Sequence, residues 1–226
     1  MKKVILSLGG SLIVPDEVQT DFLQKFRSLL LAKIEQDFQF VIFTGGGKTC
    51  RKYQEAASAI VPMTDQQLDW LGIHSSRLNA QLIKTIFEEH ARREIITDPS
   101  KEIDILNPVI IGGGWKPGWS TDFCAVQFAA IHKFTHVINL SNITYAYDKD
   151  PNKFSDAQPI KDIVWADFRK IVGDVWKPGL NAPFDPIASK LAQEKNIQVV
   201  ICDGKKLDNV RNILEDKEFI GTYIHN

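Results

Sequence analysis

Short, almost wholly apolar runs alternate along this chain with longer stretches in which apolar residues recur at helical spacing. The short runs are "KVILSL" (3–8), "FVIFT" (40–44), "PVIIGG" (108–113), "HVINL" (136–140) and "IQVVIC" (197–202). An apolar run without polar alternation is the pattern of a parallel strand covered on both faces. Between these runs, "FLQKFRSLLLAKIEQ" (22–36) carries Phe22, Phe26, Leu29, Leu30 and Ile34 on one helical face. The stretches 77–93, 122–134 and 186–195 behave likewise. Alternation of this kind predicts an α/β fold: a three-layer α/β/α sandwich with a mainly parallel central sheet. The 226 residues contain no linker rich in Pro, Gly or Ser and no repeat, so a single domain is expected. The segment 144–184 is more irregular, with "TYAYDKDPNKF", a short helical "WADFRKIVG" and "DVWKPGLNAPF". It fits a flap over a site and equally an ordinary surface excursion.

Charge and cysteine content narrow the function classes. Lys plus Arg number 27 against 28 for Asp plus Glu, so no overall field draws the chain to nucleic acid or to an anionic membrane. An anion must be caught locally. No run approaches the ~18 apolar residues of a membrane span. The opening "MKKVILSLGGSLIV" has lysines before an apolar run, but Gly9-Gly10-Ser11 interrupts it and no A-x-A site follows. It reads as a first buried strand rather than a signal peptide. Cys50, Cys124 and Cys202 are odd in number and form no C-x-x-C pair, which argues for reduced thiols, a cytoplasmic location and no zinc. The five histidines show no metal spacing; His132 and His136 straddle a helix end and the next strand.

"TGGGKTCRKY" (44–53) superficially suggests a phosphate loop. A G-x-x-x-x-G-K-[ST] loop ending at Gly47-Lys48-Thr49 needs a glycine at 42, where Ile42 stands inside the strand. The three glycines instead mark a strand-to-helix turn, where backbone N–H groups and a helix amino terminus can meet an anion. One such turn is commonly no more than a tight connection. Here, however, "LGGS" (8–11) follows the first strand and "GGG" (112–114) follows "PVII". In an open α/β sheet the carboxyl ends of the strands line one crevice, so three glycine turns on that edge can cradle several phosphates.

Taken in order, "LGGS", "TGGGKTCRKY", "DWLGIHSSRLNA", "GGGWKPGWSTD", "LSNITYAYDKDP" and "FDPIASK" resemble the amino acid kinase family, and within it the archaeal-type UMP kinase branch. The resemblance runs from Val4 to near Ile224. It implies ATP-dependent, Mg²⁺-dependent phosphorylation of a small acidic acceptor, here UMP. The acceptor would sit in the N-terminal half (about 1–135) and ATP in the C-terminal half (about 136–226). It implies that Gly46 and Gly47 hold the acceptor phosphate by their backbone, with Arg51 as its guanidinium contact. A planar guanidinium fork suits bidentate phosphate binding. Asp69 and Gly72 match the ribose-recognising segment. Ser120, Thr121 and Asp122 stand where a helix start both caps itself and touches the acceptor nucleotide. Gly9, Gly10, Ser11 and Gly113 are implied on the ATP phosphates by their backbone, and Asn142, Tyr147 and Asp150 on the adenosine side. Asp185 matches a carboxylate at the reaction centre, and Lys190 the lysine that neutralises the transferring phosphoryl group; Asn142 joins them in the catalytic set. Arg77 and Asn79 match residues of helix packing or of a subunit interface. Relatives in this branch form hexamers built from dimers, which implies a homo-oligomer.

Two departures stand out. Many family members carry a lysine two residues before the first Gly-Gly pair, where this chain has Ser7. The usual "VDGVY" is replaced by "ITYAY", so Thr144 and Tyr145 stand where Asp and Gly are expected. A tyrosine there requires either a different turn or a strained one. Two other readings stay open: a different small acidic acceptor on the same fold, and a nucleotide-binding relative without turnover. Isopentenyl phosphate is disfavoured as the acceptor, because no histidine lies between 44 and 60. Trp115 and Trp119 flank "KPG" and either cover the nucleotide or form a subunit contact.

Overall fold

The computed structural model describes residues 1–175 and 182–226. Residues 176–181, within the expected excursion at 144–184, lie outside the described residues. The order is β1 (Lys2–Leu8), α1 (Gly10–Ile13), α2 (Thr20–Ile34), β2 (Phe38–Thr44), α3 (Gly47–Ile60), α4 (Asp65–Phe87), a 3₁₀ turn (Glu88–His90) and β3 (Val109–Gly112). There follow α5 (Thr121–Ile131), β4 (His136–Ser141), β5 (Ala146–Tyr147), β6 (Pro159–Ile160), β7 (Asp162–Val164) and α6 (Trp165–Val172). The chain then forms α7 (Pro186–Glu194), β8 (Gln198–Asp203), α8 (Leu207–Leu214) and β9 (Thr222–His225).

Seven strands form one sheet in the order β3-β2-β1-β4-β8-β9-β7. The first five run parallel, and β9 is antiparallel to β8. Alternate strand residues feed two cores, as a period of two requires. Leu6, Leu8, Ile42, Ile111 and Leu140 meet α2, α4 and α8 on one face. Ile5, Val41, Phe43, Val137 and Ile201 meet α5, α6 and α7 on the other. Every expected strand is present within a residue or two of its predicted bounds. The last strand pair and α8 are short elements that periodicity over longer windows does not register.

Helix α4 departs most from expectation. It begins at Asp65, twelve residues before the predicted start, because Thr64 caps it. The Thr64 side chain accepts from the Gln67 N–H, and the Gln67 side chain reaches back to the Thr64 N–H. It ends at Phe87 rather than Arg93, because Glu88 takes φ 49°. The chain after it bridges to β3 through Ala91 and Ile96. The "ITYAY" turn is resolved as the unstrained alternative: Tyr145 is not among the left-handed non-glycine residues. Within the excursion, β5 and β6 pair antiparallel and Thr222 of β9 anchors them, accepting from the Ala146 N–H and donating to the Ile160 carbonyl.

Candidate active site

The register fixes where the glycine turns lie. Leu8 pairs with Thr44, and Phe43 with Gly112, so β1, β2 and β3 all end on one edge. The first two turns interlock there. A Cβ built on Gly10 would stand 2.1 Å from the Gly47 nitrogen, and Gly47 itself takes φ +66°. No side chain fits at the first position, and few residue types tolerate the second. The Gly45 N–H donates to the Leu8 carbonyl, and the Lys48 N–H to the Val14 carbonyl, which locks the amino terminus of α3 against α1.

Helix α4 fastens the same turns from behind. Asn79 donates to the Gly45 carbonyl at 2.7 Å. Arg77 donates to the Gly114 and Trp115 carbonyls at 2.9 and 2.8 Å, and the Ser76 hydroxyl accepts from the Gly114 N–H. Arg77 and Asn79 therefore shape the site from the helix side.

A cleft of about 320 Å³ opens on this edge. Gly10, Gly46, Gly47, Arg51, Asp69, Gly72, Ser120, Thr121, Asp122 and Asp185 all border it, as do Cys50, Gln54 and Trp119. Four helices begin at its wall: α1 at Gly10, α3 at Gly47, α5 after its cap Ser120, and α7 after its cap Asp185. The Ser120 hydroxyl accepts from the Phe123 N–H at 3.1 Å, and the Asp185 carboxylate from the Ala188 N–H at 2.6 Å. Helix amino termini concentrate partial positive charge and unsatisfied N–H donors, which makes the cleft receptive to anions. Among the described residues the N–H groups of Gly10, Ser11, Gly46, Gly47 and Thr121 have no protein partner. Arg51 is exposed at the wall and forms no ion pair among the described residues.

Two backbone expectations are corrected. The Gly9 N–H donates to the Leu140 carbonyl at 2.8 Å, and the Gly113 N–H to the Ile96 carbonyl at 3.0 Å. Both donors extend the sheet, and neither glycine borders the cleft. Gly113 instead lets α4 approach, since a Cβ there would lie 3.0 Å from the Arg77 side chain. The structure also separates the residues assigned to ATP. Asn142 is exposed just past β4, and Tyr147 is half-buried in β5. Asp150 accepts from Asn152 to build its own turn, and Lys190 is exposed on α7. None of the four borders the cleft, although Asn142 and Lys190 lie close in sequence to elements that frame it.

The carboxylates at the cleft are held differently. Asp122, in the first turn of α5, accepts from the Ser7 hydroxyl at 2.6 Å and from the Asn139 amide at 2.8 Å, both on Oδ1. Burial pushes its carboxyl up to about 6 despite the Ser7 hydrogen bond, and the charge of Asp185 adds to the rise. Burial likewise raises Asp185, against the stabilising Ala188 N–H, and its Oδ2 has no hydrogen-bond partner among the described residues. Asp69 accepts from the Gly118 N–H at 2.6 Å, so it also fixes the "KPG" turn; burial raises its carboxyl, Gly118 opposes and Asp65 adds. Trp119 packs tilted against Phe123 with ring centroids 4.1 Å apart and stacks on Trp115 at 6.0 Å. Cys50 lines the wall with its thiol raised by burial. The sequence marked Ser7 only as a departure from the family's lysine and did not single out Asn139, although each is a polar residue inside an otherwise apolar strand.

Glycine turns converging on strand ends, helix amino termini around one cleft and a carboxylate pair at its floor define a phosphoryl-transfer fold. The chain belongs to the amino acid kinase family, whose model matches residues 2–203. ATP is accordingly its phosphoryl donor. It is similar to a uridylate kinase of Thermococcus onnurineus, 30% identical over 218 residues that cover 95% of this chain and 96% of that protein. It is also similar to one of Pyrococcus abyssi, 31% identical over 208 residues, covering 90% and 91%. The crystal structure of uridylate kinase from Archaeoglobus fulgidus superposes with a TM-score of 0.82 at 27% identity, covering 99% of this chain and 100% of that one. No helix among the described residues is long and apolar enough to cross a membrane.

Proposed function

We propose that this chain transfers the γ-phosphoryl group of ATP to UMP, giving UDP. The observation that carries this reading is the convergence of four helix amino termini and Arg51 on one cleft, in a chain matched along nine-tenths of its length by uridylate kinases. The free N–H groups of Gly46 and Gly47 and the Arg51 guanidinium grip the acceptor phosphate. Asp69 and Gly72 face the ribose, and Thr121 meets the nucleotide at the start of α5. Gly10 and Ser11 present N–H groups to the donor phosphates from the turn that interlocks with Gly47. Phosphoryl transfer is limited by in-line positioning and by charge stabilisation, which preorganised backbone donors supply. Lys190 follows Asp185 on α7 and serves the transferring group by reaching in when nucleotide is bound. On this reading Asn142, Tyr147 and Asp150 hold the adenosine part, and ATP sits in the C-terminal half.

Mg²⁺ belongs to this reading. No group of three or more metal-binding side chains occurs among the described residues. That fits an ion bound through one or two carboxylates and the substrate's own phosphates. The unpartnered Oδ2 of Asp185 is the residue atom that would hold it. When bound, the ion neutralises charge on the donor phosphates. A homo-oligomer and a cytoplasmic location complete the proposal, the latter supported by three free thiols.

The test is a panel of UMP, CMP and dUMP, each incubated with purified protein, ATP and Mg²⁺ and followed by nucleotide separation. UDP formation at the highest kcat/KM of the panel is expected. Untouched UMP beside a phosphorylated alternative would overturn the acceptor assignment, and nucleotide binding without transfer would overturn the enzymatic reading.

A further inference from the structure

One buried polar pair, bonded to a carboxylate of the cleft, has no assigned part in the reaction. Ser7 is 2% exposed and Asn139 is 6% exposed. They are direct register partners on the adjacent parallel strands β1 and β4. Both donate to the same atom, Oδ1 of Asp122, at 2.6 and 2.8 Å. Asp122 is the second residue of α5, whose amino terminus borders the cleft. A polar pair inside two central strands is costly to bury unless it is fully hydrogen-bonded to something that matters. The backbone alone accounts for neither side chain, since α5 is already capped by Ser120.

We propose that Ser7 and Asn139 are positioning residues for phosphoryl transfer: through Asp122 they pin the first turn of α5 to β1 and β4, so that its free N–H groups and the carboxylate meet the reacting phosphates at one fixed place. The inference rests on the reading of the cleft as a phosphoryl-transfer site. The geometry favours positioning over simple packing. Two donors on one oxygen remove the rotational freedom of the carboxylate, and they leave Oδ2 as the atom not tied to the strands. They also come from the central strand β4 and its neighbour β1, so the turn is referenced to the middle of the sheet. Neither residue touches substrate itself. A shift of the α5 turn by a fraction of an ångström would leave the Arg51 grip on the acceptor intact and misplace the N–H groups facing the transferring group.

Steady-state kinetics of Ser7→Ala, Ser7→Thr and Asn139→Ala, with thermal unfolding of each, test this. Ser7→Ala and Asn139→Ala are expected to lower kcat by roughly tenfold or more while KM for the acceptor changes by less than about threefold. Ser7→Thr keeps the hydroxyl and is expected to return most of the lost kcat. Should Asn139→Ala fail to fold, Ser7→Ala and Ser7→Thr decide alone. A Ser7→Ala enzyme with kcat within about twofold of the unsubstituted one overturns the proposal. So does a parallel loss in kcat and KM that threonine fails to rescue. The unsubstituted enzyme is assayed first on the nucleotide panel. If it prefers an acceptor other than UMP, the acceptor assignment falls and the same comparison is run with that acceptor. If it transfers phosphate to none, both fall.

Discussion

Arg51 stands one helical turn inside α3, exposed at the cleft wall and without an ion pair among the described residues. A guanidinium in that position is available to an incoming dianion and costs little to keep there. Arg51→Ala should therefore raise KM for UMP by about ten- to a hundredfold with a smaller change in kcat. Arg51→Lys should recover only part, because an ammonium lacks the planar fork. Asp122 makes the opposite case, a carboxylate kept where its charge is disfavoured. Its folded value of about 6 lies above the ordinary 3.8, so between those values the folded state binds the proton more tightly than the unfolded chain. Wild-type stability should thus fall as pH rises from about 4 to about 6 and the penalty should stay constant above that. Asp122→Asn should lose activity yet remove this slope. Melting temperatures of both proteins from pH 4.5 to 8 would show the two curves diverging upward; parallel curves would rule out a raised carboxyl. Much of the cleft was readable at this scale. Gly46, Gly47, Arg51, Asp69, Thr121 and Asp185 sit in local motifs, and local motifs survive in a linear string. The partners of Asp122 were not readable, because Ser7 and Asn139 are 115 and 17 residues from it and meet only through strand register. Nor was the engagement of the Gly9 and Gly113 amides, which depends on what each strand end finds beside it.

Among the elements, α4 both lines the cleft, through Asp69 and Gly72, and fastens its glycine turns. Its residues Ser76, Arg77 and Asn79 bond the second and third glycine turns. Asn79 is 3% exposed, so removing it leaves the half-buried Gly45 carbonyl short of a partner. Asn79→Ala should cost on the order of 1–3 kcal/mol, measurable by urea unfolding. It should also weaken UMP binding, since the Gly46 and Gly47 amides follow directly. A variant with unchanged stability would show that the turn stands by itself. The extended start of α4 was in principle legible: Thr64 and Gln67 have the spacing of a reciprocal cap, but the apolar period that identifies helices is weak over 65–76. Strands were easier, because burial on both faces writes a continuous apolar run. The edge strand β7 is partly exposed and carries no such run.

For the molecule as a whole, a formal charge of −1 means that the surface neither gathers nor repels nucleotides over distance. Attraction is confined to the cleft, within reach of helix ends and one guanidinium. Raising ionic strength from about 50 to about 200 mM should accordingly change kcat/KM for UMP by less than about threefold at saturating ATP. A steeper dependence would reveal long-range steering that the charge count denies. The three-layer arrangement and the parallel sheet followed from the alternation of runs. The insertion of β9 between β8 and β7 did not, since nothing local dictates that a short strand should run against its neighbour.

Strand β1 is hydrogen-bonded to β2 on one side and to β4 on the other, so the proposed acceptor and donor sides share a common spine. Sides joined through one continuous sheet share no linker at which to pivot among the described residues. If the enzyme tightens around its substrates, the sheet stays still and the motion falls to what is bolted on top: α3, which contributes no buried residue to either core, and the turns that lead into it. Closure would then be the settling of a cover onto a rigid bed rather than the shutting of two jaws.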